Sequence, residues 1–307
     1  MKKLGNWKAP RRARKPRNDY EEGGHEEARE RREYRRGRWQ RPRGRIDDFS
    51  PRSLKIQNAR VQKLAIEGGL LPRNISRDSA LPVAICQTRV AEERLLFRKA
   101  RKRFQSAVKE GHCAFLVTVI HPEWLVPKDR LAAEIFRKAR DWFSRRCRNL
   151  ASRAEFEVLG VVDVAWNANK RVGEKSRWCV HVHALIVLRN LCQKEARQAI
   201  KRAIGKIDGK GLVGRPRDVA ALSTATDVKR AGNYVSSKLM FECRQSRVAY
   251  VDKDGRRQSR KAKLPQSRAL ELLSVTSEIE PQSRLVLSRL RRTAKGIVSW
   301  PPSKAGS

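Results

Sequence analysis

Two histidines set one residue apart, in "RWCVHVHALIVL" (177–188), are the first sign of chemistry in a chain with five histidines in all. A strand that only builds core rarely gives two positions to imidazoles. Alternate side chains of a strand share a face and sit roughly 7 Å apart. His181 and His183 can therefore converge on one cation while Val180, Val182 and Ala184 face the other way. Imidazole is a common ligand, but two histidines still need an oxygen donor, and open positions, before a metal can catalyse anything. Asp163, the only acid in "GVVDVAWN", is the candidate donor from the neighbouring strand. Cys179 shares the histidines' face, so a zinc site of Cys179, His181 and His183 is the structural alternative.

"AGNYVSSKLMF" supplies a second group of reactive side chains. Tyr234 and Lys238 stand four apart, on one helical face beside an apolar stripe of Val228, Ala231, Val235 and Leu239. A tyrosine and a lysine so placed are usually packing. Here the helix follows the last strand of the expected sheet and can lie across the histidine-bearing strand. A phenol opposite a divalent cation is a ready nucleophile for a phosphodiester: the cation polarises the phosphate, and the ammonium assists the phenol or balances phosphate charge.

The elements that must position these residues are legible from hydrophobic spacing. "CAFLVTVI" (113–120) reads as a buried strand, and 128–148 as a helix with Leu131, Ile135, Ala139, Trp142 and Phe143 on one side. "EFEVLGVVDVAWN" (155–167) and 177–188 read as strands of a hairpin around "ANKRVGEKS". Residues 192–206 are helical, 217–224 a short strand, and 226–241 a helix N-capped by Thr226 or Asp227. The order β-α-β-β-α-β followed by the tyrosine helix predicts an α+β fold on a ferredoxin-like or RRM-like antiparallel sheet. Ahead of it, 51–111 forms a basic helical lead-in of two helices, the first ended by Gly68 and Gly69 and the second by Gly111. Residues 1–50 read as a basic, disordered arm in which Tyr34 and Trp39 stand among arginines. The catalytic domain is expected over 112–254, closing on a hairpin that turns at Asp254-Gly255; 255–307 is read as a basic extension with at most short helices such as "QSRALELLSV".

A net charge of +39 calls for a polyanionic partner, since such a charge repels itself in a compact chain. Nucleic acid fits, because each phosphate neutralised by Lys or Arg releases a counterion. No apolar segment of transmembrane length is present, and "MKKLGNWKAPRRARK" is not a secretory signal, so a cytoplasmic protein with no membrane partner is expected. The six cysteines form no CxxC pair, which fits reduced thiols. The arginine runs at both ends read as non-specific phosphate binders. His121, in "IHPEW", reads as a loop residue.

Three segments in this order, "FLVTVI", "GVVDVAWN" with "RWCVHVHALIVL", and "AGNYVSSKLM", make residues 113–242 resemble the HUH endonucleases, and among them the rolling-circle replication initiators of plasmids and phages. The resemblance implies that His181 and His183 bind Mg²⁺ or Mn²⁺ with Asp163 as third ligand and Glu157 as the fallback. It implies that Tyr234 attacks the DNA backbone, leaving a 5′-phosphotyrosine and a free 3′-hydroxyl, and that Lys238 assists. The partner would be DNA, single-stranded or an origin hairpin. With no GxxxxGK[ST] motif, strand separation would fall to a host helicase. The family often has its lysine three residues after the tyrosine and Glu or His as third ligand, and this chain departs on both counts. A relaxase or transposase of the same chemistry is the near alternative. A non-enzymatic binding protein on an RRM-like sheet is the distant one; it predicts aromatics where the strands carry histidines and an acid.

Overall fold

A computed structural model describes residues 51–72, 81, 85–169, 176–208, 216–239, 245–251, 257–294 and 296–300. Two helices lead in, α1 (Pro51–Glu67) and α2 (Gln87–Lys109). There follow β1 (Cys113–Pro127), α3 (Ala133–Arg148), β2 (Phe156–Asn169), β3 (Arg177–Leu188), α4 (Gln193–Ile204), β4 (Arg217–Leu222) and α5 (Ala225–Ser237). The chain ends in β5 (Gln245–Val251), β6 (Arg257–Lys263), α6 (Gln266–Ser277), a 3₁₀ turn (Pro281–Arg284) and three short strands, β7 (Leu285–Ser288), β8 (Leu290–Arg292) and β9 (Ile297–Ser299). The expected arm at 1–50, with Tyr34 and Trp39, lies outside the described residues, as does the turn at Asp254-Gly255.

The fold is α+β. Its sheet runs β4-β1-β3-β2-β5-β6, and β7 also pairs with β2. β4, β1, β3, β2 and β7 are antiparallel to their neighbours, whereas β5 joins β2 in parallel. β3 lies in the middle and is buried from Trp178 onward on both faces, which is why it reads as an almost unbroken apolar run. Its register is set by the alternation of its side chains, since a slip of one residue would exchange its two faces. His181 stands between Ile120 and Asp163, and His183 between Thr118 and Val161.

One face carries Phe115, Val117, Val119, Val162, Val164, Val180, Val182, Ala184 and Ile186, and packs under α3, α4 and α6 through Phe136, Phe143, Ile200 and Leu272. The other carries Ala114, Leu159, Val161, Leu185 and Val187 under α2 and α5, through Phe97, Phe104, Val228 and Val235. Gly232 allows α5 to close on α2, since a Cβ there would collide with the side chain of Arg101.

The described elements differ from the sequence reading in several places, and the helix expected over 128–148 begins only at Ala133, so Leu131 precedes it. β1 continues through "HPEWLVP" to Pro127 with a break in register between Ile120 and Leu125, so His121 lies within the strand and packs against Trp124 and Trp142 at 5.4 and 5.3 Å. α5 begins at Ala225 with Thr224 as N-cap, in place of Thr226 or Asp227. The segment after Asp254 is folded well beyond short helices: β7 adds to the sheet beside β2, and the β8–β9 pair covers α2, where Arg292 grips Glu93. Strands of three and four residues carry too little alternation to be seen in sequence. Among the described residues no helix is long and apolar enough to cross a membrane.

Candidate metal and tyrosine site

Asp163, His181 and His183 place one ligand atom each within 4.8 Å of one another, and all three are buried. The Oδ2 of Asp163 lies 3.3 Å from His181 Nε2 and 3.9 Å from His183 Nε2. Both imidazoles are held from behind. His181 donates from Nδ1 to the carbonyl of Cys179 at 3.0 Å, and His183 Nδ1 meets the hydroxyl of Thr118 at 2.9 Å. Partners on Nδ1 fix ring orientation and leave Nε2 for the centre of the cluster.

A carbonyl only accepts, so Nδ1 of His181 carries a proton; the carboxylate on the other side holds a second one on Nε2. Burial disfavours the imidazolium, but the hydrogen bond to Asp163, the Cys179 side chain and the charge of Asp163 outweigh it and push the His181 pKa up to about 9.

The tyrosine helix covers this cluster. Its start is fixed by a reciprocal cap, in which the Thr224 hydroxyl accepts from the Asp227 N–H at 3.1 Å and the Asp227 carboxylate accepts from the Thr224 N–H at 3.1 Å. Val228 and Val235 anchor it to the sheet. Tyr234 is 36% exposed, and its hydroxyl lies 3.3 Å from His183 Nε2 with the rings edge to face at 5.0 Å. The helix ends at Ser237, yet Lys238 keeps a helical backbone and so stays on the tyrosine's side. Its Nζ lies 3.1 Å from Asp163 Oδ2 and 4.8 Å from the centre of the Tyr234 ring.

All five residues expected from sequence thus meet at one place. Glu157, the fallback ligand, is elsewhere: six residues along β2, roughly 20 Å away at strand spacing, and engaged with Arg103 at 2.9 Å and Ser299 at 2.6 Å. Cys179 contributes its carbonyl, and its thiol is not among the clustered ligand atoms.

Two participants were not anticipated. Thr118 is polar in the middle of "FLVTVI", a signal as plain as Asp163. Arg284 gave no signal, because it sits just before β7 in the segment read as an extension. It is buried and donates to the carbonyls of Lys238, Leu239 (3.2 Å) and Val162 (3.5 Å). β2 pairs with β7 through Val161 and with β5 from Trp166, so the carbonyl of Val162 lies in the gap between them. Arg284 fills that gap and ties the end of α5 to the strand that carries Asp163.

No protein-family model, no curated protein and no solved structure matches this chain.

The donor set fits a small divalent cation. Ligand atoms about 2.1 Å from a shared ion lie about 3.0 Å apart at right angles and at most about 4.2 Å apart; the two carboxylate–imidazole separations of 3.3 and 3.9 Å fall in that range, and with all three atoms within 4.8 Å of one another a small side-chain adjustment brings the set onto one ion. Two imidazole nitrogens and one carboxylate oxygen also leave further coordination positions open.

Proposed function

We propose that this protein nicks and rejoins single-stranded DNA through Tyr234, as a replication initiator of the HUH type built on a ferredoxin-like core. The reading is carried by one observation: a partly exposed phenol lies 3.3 Å from an imidazole of a buried two-histidine, one-carboxylate cluster. Asp163, His181 and His183 would hold Mg²⁺ or Mn²⁺, which when bound supplies positive charge at the scissile phosphate.

The protein's own groups account for the rest. The Oη of Tyr234 bonds to phosphorus as the P–O3′ bond breaks. The phenolic proton is released to solvent, and the 3′-oxygen takes one up. The products are a 5′-phosphotyrosine and a free 3′-hydroxyl, and the reverse step rejoins the strand. Lys238 supplies an ammonium near the phenol, 4.8 Å from its ring centre. The chain's +39 charge supplies the sequence-independent attraction for DNA. The same donor trio serves ferrous iron in oxygenases, but a phenol and an ammonium facing the cluster favour phosphoryl transfer.

The test is a covalent adduct on single-stranded circular DNA with Mn²⁺, resolved on a denaturing gel beside Tyr234→Phe and an EDTA control. An adduct that needs both Tyr234 and the cation is the expected result. Tight DNA binding with no adduct on several mixed-sequence substrates would leave a basic nucleic-acid-binding protein.

A further inference from the structure

The cation-binding reading leaves a question that the geometry of Lys238 answers. Asp163 is 2% exposed, and a carboxylate that deep needs a compensating charge whether or not a metal is there. The oxygen that would ligate the ion, Oδ2, is the one that Lys238 Nζ approaches to 3.1 Å. The ammonium therefore stands on the ligand atom itself.

Resting on that reading, we infer that Lys238 is a built-in stand-in for the divalent cation, neutralising Asp163 in the empty site and giving way when an ion enters. An ammonium and a dication sharing one carboxylate oxygen repel each other across a few ångströms of poorly screened interior. The backbone of Lys238 cannot follow, since Arg284 holds the carbonyls of Lys238 and Leu239. Only the side chain moves. Its ammonium already lies against the Tyr234 ring, 4.8 Å from the ring centre, and the partly exposed phenol is the open side of the site. Displacement thus carries the charge toward the position of a bound phosphate. Metal loading and delivery of the lysine to the nucleophile become one event, and the site without its cation holds the lysine back.

This gives Lys238 an effect on metal affinity opposite in sign to that of a ligand. Removing the ammonium leaves Asp163 with one positive partner fewer beside the His181 imidazolium, so Lys238→Gln binds Mn²⁺ more tightly than the unaltered protein, by about tenfold or more, the scale of losing one buried ion pair. Lys238→Arg keeps the charge and binds Mn²⁺ as weakly as the unaltered protein. Titration calorimetry of the DNA-free full chain with Mn²⁺ reads both, and the Mn²⁺-induced rise in Tm, larger for Lys238→Gln, checks them in a second observable. If Lys238→Gln binds Mn²⁺ with equal or lower affinity, the stand-in role is overturned while the metal site remains. If neither the unaltered protein nor Lys238→Gln takes up Mn²⁺, the metal reading itself falls and the stand-in role with it. Should Lys238→Gln fail to fold, Lys238→Met, which keeps the aliphatic packing on Tyr234, carries the same expectation.

Discussion

The two faces of the central sheet are built from the same strands, yet they are different materials. Under α3, α4 and α6, β3 contributes Trp178, Val180, Val182, Ala184, Ile186 and Leu188, all apolar. Under α2 and α5 it contributes Cys179, His181, His183, Leu185 and Val187, and β2 and β1 add Asp163 and Thr118. His183 is 3% exposed, as dry as its aliphatic neighbours. Polar groups survive at that depth only when each has a partner, and here the partners are one another. The difference is also local: beyond Ala184, β3 turns apolar again on this face, with Leu185 and Val187 against α2. One face is an apolar core, and one end of the other carries the polar cluster.

The sharpest way to separate the two is to change one residue on each. Asp163→Asn keeps the shape of the site and removes its ligand charge. A bound cation is worth several kcal/mol to a transition state, so the rate of adduct formation should fall by about 10³-fold or more, followed as gel-resolved product per minute. Phe143→Ala, on α3 beneath the apolar face, should lower unfolding free energy by about 3–5 kcal/mol in a urea titration. Its adduct rate per folded molecule should stay unchanged. A large rate loss from Phe143→Ala would mean that the faces are coupled and that the division between them is wrong.

Next in size is a pH effect confined to the polar face. The His181 pKa is raised from 6.5 to about 9 in the folded, metal-free protein. Its contribution to stability is therefore fully present below pH 6.5 and is lost as pH rises through about 9, a change of roughly 3 kcal/mol. A divalent cation must replace the Nε2 proton, so apparent Mn²⁺ affinity should run the other way and strengthen over the same window. Urea midpoints with and without Mn²⁺, from pH 6 to 10, read both trends. His181→Asn should flatten them; trends that persist in that variant would place the titrating group elsewhere.

How much of this was legible in the sequence follows from the same contrast. Alternation fixed which residues of β2 and β3 share a face, and the helical spacing of Tyr234 and Lys238 brought their side together. Those patterns are local, and the site's five expected residues lie on elements long enough to show them. Arg284 could not be found that way. Its role is to occupy a gap in the hydrogen bonding of β2 between two strands that come late in the chain, and β7 is only four residues long. The choice between Asp163 and Glu157 was also beyond a single strand, because both have the same parity on β2. Register separates them, by setting Asp163 opposite His181 and Glu157 opposite Val187.

Arg284 sharpens the comparison because it touches the site only through backbone. Arg284→Met leaves carbonyls of Val162, Lys238 and Leu239 without their donor and removes a positive charge from the C-terminal end of α5. A loss of about 2 kcal/mol in unfolding free energy is expected. The adduct rate should also fall about tenfold at saturating DNA, with DNA affinity unchanged, because the lysine and the strand bearing Asp163 are no longer tied. A stability loss with no change in rate would reduce Arg284 to packing.

Thr224→Ala probes the opposite end of the same helix and should have the smallest effect. The cap lies ten residues before Tyr234, roughly 15 Å along the axis, and its loss costs about 1 kcal/mol. Fraying at Ala225 should not reach the phenol, because Val228 and Val235 pin the helix to the sheet and Arg284 grips its far end. The urea midpoint should therefore drop, Thr224→Ser should restore it, and the adduct rate per folded molecule should not change. If the rate falls as well, the tyrosine depends on the whole helix, and the chemistry is not held from its C-terminal end alone.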